Sequence, residues 1–203
     1  MGYNTDFIMK PKVDFCFKEL MADAKVRQGF ISAVLRVDPE EIRETRLMPT
    51  LLRKSSKEEK QGILGFTMFE NYEGYYSRFH IREDSRREKY TDKLEVHVLE
   101  LPKLNKYPHP ETELLKWVRF FHAEKREEFE MMAKDNEYLE RAYERLVNIS
   151  ADEQKRREYQ AREDAIRDYN WQLKTYRRRG LREGMEKGME KAQVYMDKFW
   201  DHN

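Results

Sequence analysis

The sequence predicts an α+β chain, mostly helical by residue count, with a small sheet near its middle and a long helical region behind it. Three observations carry this prediction. Only two stretches read as strands, 63–69 and 94–101. The segments on either side repeat apolar residues at helical spacing. Charged residues make up 39% of the 203 residues, and the mean hydropathy of −1.02 is more polar than an ordinary globular domain, so much of the chain must be solvated helix surface. The length suits one domain with a core plus an appendage. A composition shift after Pro110 divides the chain into a core, residues 1–110, with two helices and a short sheet, and a helical region, residues 111–203.

The first helix follows Pro11 and places Val13, Phe17, Leu20 and Met21 on one face, with Asp14, Lys18 and Glu19 pointing elsewhere. A second amphipathic segment carries Val26, Phe30, Ile31, Val34 and Leu35 and closes at Asp38-Pro39. These two helices can cover one face of a small sheet. Residues 42–54 read as an extended piece and 55–61 as a charged loop. In the second strand Leu94, Val96 and Val98 alternate with Glu95 and His97; the phase then slips, so that Leu99 and Leu101 fall on the other face. A bulge or burial on both faces explains the slip, and Pro102 ends the run.

Between the strands, Tyr72, Tyr75, Tyr76, Phe79 and Tyr90 are interleaved with Arg78, Arg82, Arg86, Arg87 and Lys89. Aromatics among arginines can stack bases and hold phosphates; a charge run also marks a solvated face on a partly buried connection. Alternation of Phe79 and Ile81 suggests a short extra strand. Past Pro108, Pro110 suits a first helical position, and Leu114, Leu115, Trp117, Val118, Phe120 and Phe121 form a broad apolar face that should dock on the core. A further helix carries Phe129, Met132, Leu139, Ala142, Tyr143 and Leu146. Ser150-Ala151-Asp152-Glu153 reads as a capping box opening a long charged helix. In its tail Gly180, Gly184 and Gly188 stand four apart; flanking charges forbid burial in lipid, which leaves an undocked helix or one that self-associates by close approach.

Charge and cysteine content narrow the function classes. Lysine plus arginine at 40 against aspartate plus glutamate at 39 gives a net charge of +1, so no global basic field drives nucleic-acid binding, and any such contact needs a local patch. Cys16 is the single cysteine, which excludes an internal disulfide or a cysteine-rich zinc cluster; it reads as a small core residue. No apolar run is long enough to span a bilayer, and the first residues lack a signal-peptide core, so the expected location is cytoplasmic, away from membranes.

No zinc-ligand spacing, phosphate-binding glycine loop or nucleophile elbow is present. His80, His97, His109, His122 and His202 lie scattered, and His97 on its strand reads as a satisfied structural histidine. A magnesium-dependent nuclease needs paired carboxylates for the metal and often a lysine to poise the attacking water. Acid-x-lysine triplets occur at Asp23-Lys25, Glu58-Lys60 and Glu153-Lys155. None lies on an apolar strand that could hold its groups at metal-binding distance, so all three read as solvated surface.

Met9-Lys10-Pro11-Lys12-Val13-Asp14-Phe15-Cys16-Phe17-Lys18 resembles the start of the PD-(D/E)XK nuclease family transposases, also called recombination-promoting nucleases. Residues 76–84 and 90–102 look like that family's later strands, and Ser150-Ala151-Asp152-Glu153, Arg167-Asp168-Tyr169-Asn170 and the glycine-spaced tail add to the likeness. The resemblance implies a restriction-endonuclease-like core, a metal-dependent DNA endonuclease of a mobile element, and Mg2+ as cofactor in intact members. It also marks a gap at Gly62-Ile63-Leu64-Gly65, because the family's Ile-Leu run leads into an aspartate and a following strand brings a glutamate with its lysine or glutamine partner. Gly65 stands where that aspartate would be, and the chain passes directly to what looks like a later strand. The expectation is a remnant of such a nuclease without its metal-binding strands: no catalytic, cofactor-binding or metal residues, no bound cofactor, and an inactive pseudoenzyme. The alternative is a non-catalytic interaction module. It would bind nucleic acid through the aromatic and arginine stretch, or itself and full-length relatives through the C-terminal helices.

Overall fold

The computed structural model describes residues 7–46, 63–64, 66–134 and 136–200. Helix α1 (Asp14–Met21) and helix α2 (Ala24–Leu35) meet at Asp23, whose carboxylate accepts the Lys25 and Val26 amides at 3.0 and 3.2 Å and so starts α2. At the other end of α2, Arg36 takes a left-handed conformation (φ 60°), and the amides of Arg36 and Val37 both return to the Ser32 carbonyl. Asp38 then caps a short 3-10 turn, Pro39–Glu41.

Among the described residues the sheet has three strands, in the order β1-β3-β2. Strand β1 (Ile63–Leu64) runs parallel to β3 (Glu95–Glu100), and β2 (Tyr76–His80) runs antiparallel to it, with Phe79 opposite Val96 and Tyr76 opposite Leu99. The strand expected over 63–69 is therefore short. Phe66–Phe69 turns instead, because the amides of Met68 and Phe69 are taken by the Glu100 carboxylate at 2.6 and 3.1 Å rather than by a neighbouring strand. The suggested extra strand at Phe79 is β2. The phase slip in β3 comes from burial on both faces: Leu99, Glu100 and Leu101 are all buried, and Leu101–Lys103 winds into a 3-10 turn at Pro102.

Helix α3 (Glu113–His122) is capped by Thr112, whose hydroxyl accepts the Leu115 amide at 3.1 Å, so Pro110 precedes the helix instead of opening it. The single helix expected from Phe129 to Leu146 is two, α4 (Arg126–Ala133) and α5 (Glu137–Ala151), because the Asn136 side chain accepts the Tyr138 and Leu139 amides and restarts the chain. Ser150 belongs to the last turn of α5 and is buried, its hydroxyl accepting the Met9 amide at 3.0 Å. The cap of α6 (Glu153–Trp200) is Asp152, which accepts the Lys155 amide at 2.9 Å.

An aromatic cluster joins these helices. Phe30 meets Phe121 edge-on at 5.1 Å and Trp117 at 5.8 Å; Phe17 meets Phe121 at 5.4 Å, and Phe120 meets Phe129 at 5.0 Å. Cys16 is buried beside them, and burial pushes its thiol far above its ordinary range. Trp117, Phe129, Leu146 and Tyr159 share one core with α1 and α2, and the chain divides into two compact units, Met1–Tyr159 and Gln160–Asn203. No described helix is long and apolar enough to cross a membrane.

Candidate functional site

The β2-β3 register places Tyr76, Arg78 and His80 on one face of the sheet with Glu95, His97 and Leu99. Glu95 sits between two imidazoles: Oε1 is 2.7 Å from His80 Nε2, and Oε2 is 3.3 Å from His97 Nε2. The row continues, since His97 Nδ1 lies 2.9 Å from the Tyr76 hydroxyl. With its proton on Nε2, a neutral His97 donates to Glu95 and accepts the Tyr76 hydroxyl proton, which satisfies every polar atom of the ring. The Tyr76 and His97 rings stack at 6.0 Å.

Burial, aided by the charges of Arg78 and His80, pulls His97 below its ordinary value of 6.5 against the opposing pull of Glu95. Burial also works against an ionised Glu95. The hydrogen bond from His80 and the positive charges of Arg78, His80 and His97 outweigh it and hold the carboxyl below 4.5. Burial raises the Tyr76 phenol. The result is a hydrogen-bonded row able to hold or relay a proton, and its His97 end borders an apolar cleft of ≈260 Å³ lined by Phe17, Phe30, Val34 and Leu99.

The second strand carboxylate, Glu100, is sealed. Its side chain accepts the Met68 and Phe69 amides and pairs with Lys103 Nζ at 2.7 Å, and Lys103 also donates to the Phe69 carbonyl at 2.8 Å. Burial opposes its ionisation, but the Lys103 bond and the two amides hold it below its ordinary value.

Residues singled out from the sequence are scattered among structural partners. Asp14 pairs with Lys18, while Glu19 ties α1 to Arg145 and Lys155. The two acid-x-lysine triplets among the described residues do not act as units: Asp23 goes to Arg141 and Lys25 to Glu137, Glu153 to Arg157 and Lys155 to Glu19. Asp23 is mostly buried rather than solvated, because it serves as both helix cap and ion-pair partner. His109 lies against Tyr75 and the Lys103 carbonyl, and His122 against Asn105. In the aromatic and arginine stretch Tyr75 is buried and Tyr76 half-buried, whereas Tyr72 and Tyr90 are exposed. Residues 82–92 hold four bases and four acids, with Arg86 on Glu83 and Lys89 on Asp92, so no net positive patch forms there. Gly62, Gly65, Glu58, Lys60 and His202 lie outside the described residues.

The model of the PD-(D/E)XK nuclease family transposases matches residues 62–176, more than half of the chain. The chain belongs to that family. No curated protein and no solved structure matches it. The matched residues of this PD-(D/E)XK family member include all three strands, α3, α4 and α5, and the first part of α6, but not α1 or α2. The N-terminal resemblance at residues 9–18 therefore lies outside the match.

The Mg2+ that family resemblance implies does not fit the described residues. Among them no group of three or more His, Cys, Asp or Glu side chains could hold a metal ion. Glu95 has both oxygens turned to histidines, and Glu100 has both turned to Lys103 and backbone amides. Sequence reading missed both arrangements. The His80-Glu95 pair follows from a strand register that needs β2 to be known, and Glu100-Lys103 forms only because the chain turns at Pro102.

Proposed function

We propose that this member of the PD-(D/E)XK nuclease family transposases keeps the family's scaffold and a role beside a mobile element's DNA machinery without cleaving DNA itself. The observation that supports this reading is that both carboxylates of the described strands, Glu95 and Glu100, are committed to protein partners. A two-oxygen clamp on a divalent cation needs carboxylates that converge with free lone pairs. The test is incubation of supercoiled and linear DNA with the purified chain and magnesium or manganese, where the DNA should stay intact. Metal-dependent nicking that follows the protein through successive columns, and that Asp14→Ala or Glu95→Gln abolishes, would overturn the proposal.

A second reading makes the chain an interaction module that assembles through its C-terminal helix. It draws support from the large apolar side chains exposed along α6, among them Ile166, Tyr169, Leu173 and Tyr176. Sedimentation of the full chain over a wide concentration range tests it, and a strictly monomeric mass would count against it. Nucleic-acid binding has weaker support, since the aromatic stretch carries as many acids as bases over residues 82–92.

A further inference from the structure

The residues Gln160–Asn203 form a unit made of the latter part of α6. Ile166, Tyr169, Leu173 and Tyr176 follow one another at spacings of three, four and three, which places them at alternate a and d positions of two heptads. All four are at least half exposed, at 50, 58, 54 and 68%. A helix of this length with a continuous apolar seam open to water gains little by standing alone. Its charges are unevenly spread along that seam. Residues 161–168 hold three acids, Glu163, Asp164 and Asp168, against Arg162 and Arg167, with Asp164 paired to Arg167; residues 174–182 hold Lys174, Arg177, Arg178, Arg179 and Arg182 and no acid, with Arg179 and Arg182 paired to Glu183 and Glu186 just beyond.

This asymmetry selects both the partner and its direction. Resting on the interaction-module reading above, we infer that α6 pairs with α6 of a second copy of this chain, antiparallel, about a two-fold axis near Asn170 and Trp171. In that arrangement Ile166 packs on Tyr176 of the second copy and Tyr169 on its Leu173. Position e of each helix then faces position e of the other, which sets Glu163 against Arg177 and Asn170 against its own counterpart. The acidic start of each seam lies along the basic end of the other. A parallel pair would instead set position g against position e of the next heptad, Gln172 against Arg177 and Arg179 against Gly184, and so offers no contact between opposite charges. Gly180 falls opposite Arg162, and a Cβ there would meet nothing within 4 Å in the single chain, so the long arginine has room to cross.

Glu163 and Arg177 are two heptads apart, about 21 Å along one helix at 1.5 Å per residue, so they cannot meet within a chain. This makes cross-linking decisive. Full-length Glu163→Cys and Arg177→Cys chains are mixed in a thiol redox buffer, and the disulfide-linked species are identified by mass; Cys16 is buried and stays out of the exchange. Antiparallel pairing predicts mainly the mixed 163–177 species, in excess of its statistical share. Mainly 163–163 and 177–177 species, from a chain that sediments as a dimer, would overturn the direction while leaving assembly intact. A chain that stays monomeric in sedimentation would overturn both the pairing and the interaction-module reading. As a check without cysteines, Glu163→Arg or Arg177→Glu alone should weaken dimerisation several-fold at low salt, and the two changes together in one chain should restore it. Failure of the double change to restore association would also count against the antiparallel register.

Discussion

Glu100 and Lys103 form an ion pair shut away from water, Oε2 to Nζ 2.7 Å, with 0 and 1% of their side chains exposed. The pair closes the end of β3 on the turn at Phe66–Phe69, because each partner also binds backbone there, Glu100 to the Met68 and Phe69 amides and Lys103 to the Phe69 carbonyl. Removing one ion of such a pair leaves the other buried and uncompensated, at a cost of about 3–5 kcal/mol. Glu100→Ala and Lys103→Met should each lower stability by that much in urea unfolding, and the double variant should lose clearly less than the sum. A single variant within about 1 kcal/mol of the parent would contradict the arrangement.

Stability should fall steadily as the solution becomes acidic. His97 has a folded value below 6.5, so the stability of its neutral ring is fully present above 6.5 and is lost as pH drops through that folded value. Glu95 is held below 4.5, so its contribution is present above 4.5 and disappears as pH drops through its own folded value. Both slopes have the same sign. Urea midpoints measured across this range should decline toward acid, and His97→Asn should flatten the upper part of the decline. A midpoint that rises on acidification from neutral pH would refute the row described here.

Gly29 and Gly188 should respond in opposite directions to alanine. A Cβ at Gly29 would stand 2.5 Å from Tyr138 Cγ and 2.7 Å from its Cδ1, where α2 and α5 approach each other. Overpacking of this kind costs about 1–3 kcal/mol, more than the helix propensity gained. At Gly188 the added methyl meets nothing within 4 Å. Gly188→Ala should raise helix content in circular dichroism by supplying about 0.5–1 kcal/mol of propensity.

Ser150 and Asp152 should also part company. Ser150→Ala leaves the buried Met9 amide without its acceptor, which costs about 1–3 kcal/mol and should speed hydrogen exchange at Met9. Asp152→Ala removes the cap of α6, at about 1 kcal/mol, without touching Met9 exchange. The reverse pattern would reinstate Ser150 as the helix cap.

Local signals in the sequence went far. Apolar spacing located α1, α2 and α3, with Phe17, Leu20, Trp117 and Phe121 packed in or against the core, and alternation located β3 and, through Phe79, β2. Family membership was legible as well, because its motifs are local strings of residues. Caps were harder, since Ser150, Asp152, Thr112 and Pro110 all carry plausible cap chemistry, and the choice depends on which backbone amide comes within reach.

By itself, then, the sequence determined the helix and strand periodicities, the near-zero net charge and the family, all of which are properties of neighbours along the chain. Tertiary structure alone decided that Glu95 lies between His80 and His97, that Glu100 is buried on Lys103, and that α3, α4 and α5 share one core with α1 and α2. The reason is reach: a carboxylate's partners are fixed by strand register and chain reversal, which bring together residues as far apart as His80 and Glu95 and leave no trace in local spacing.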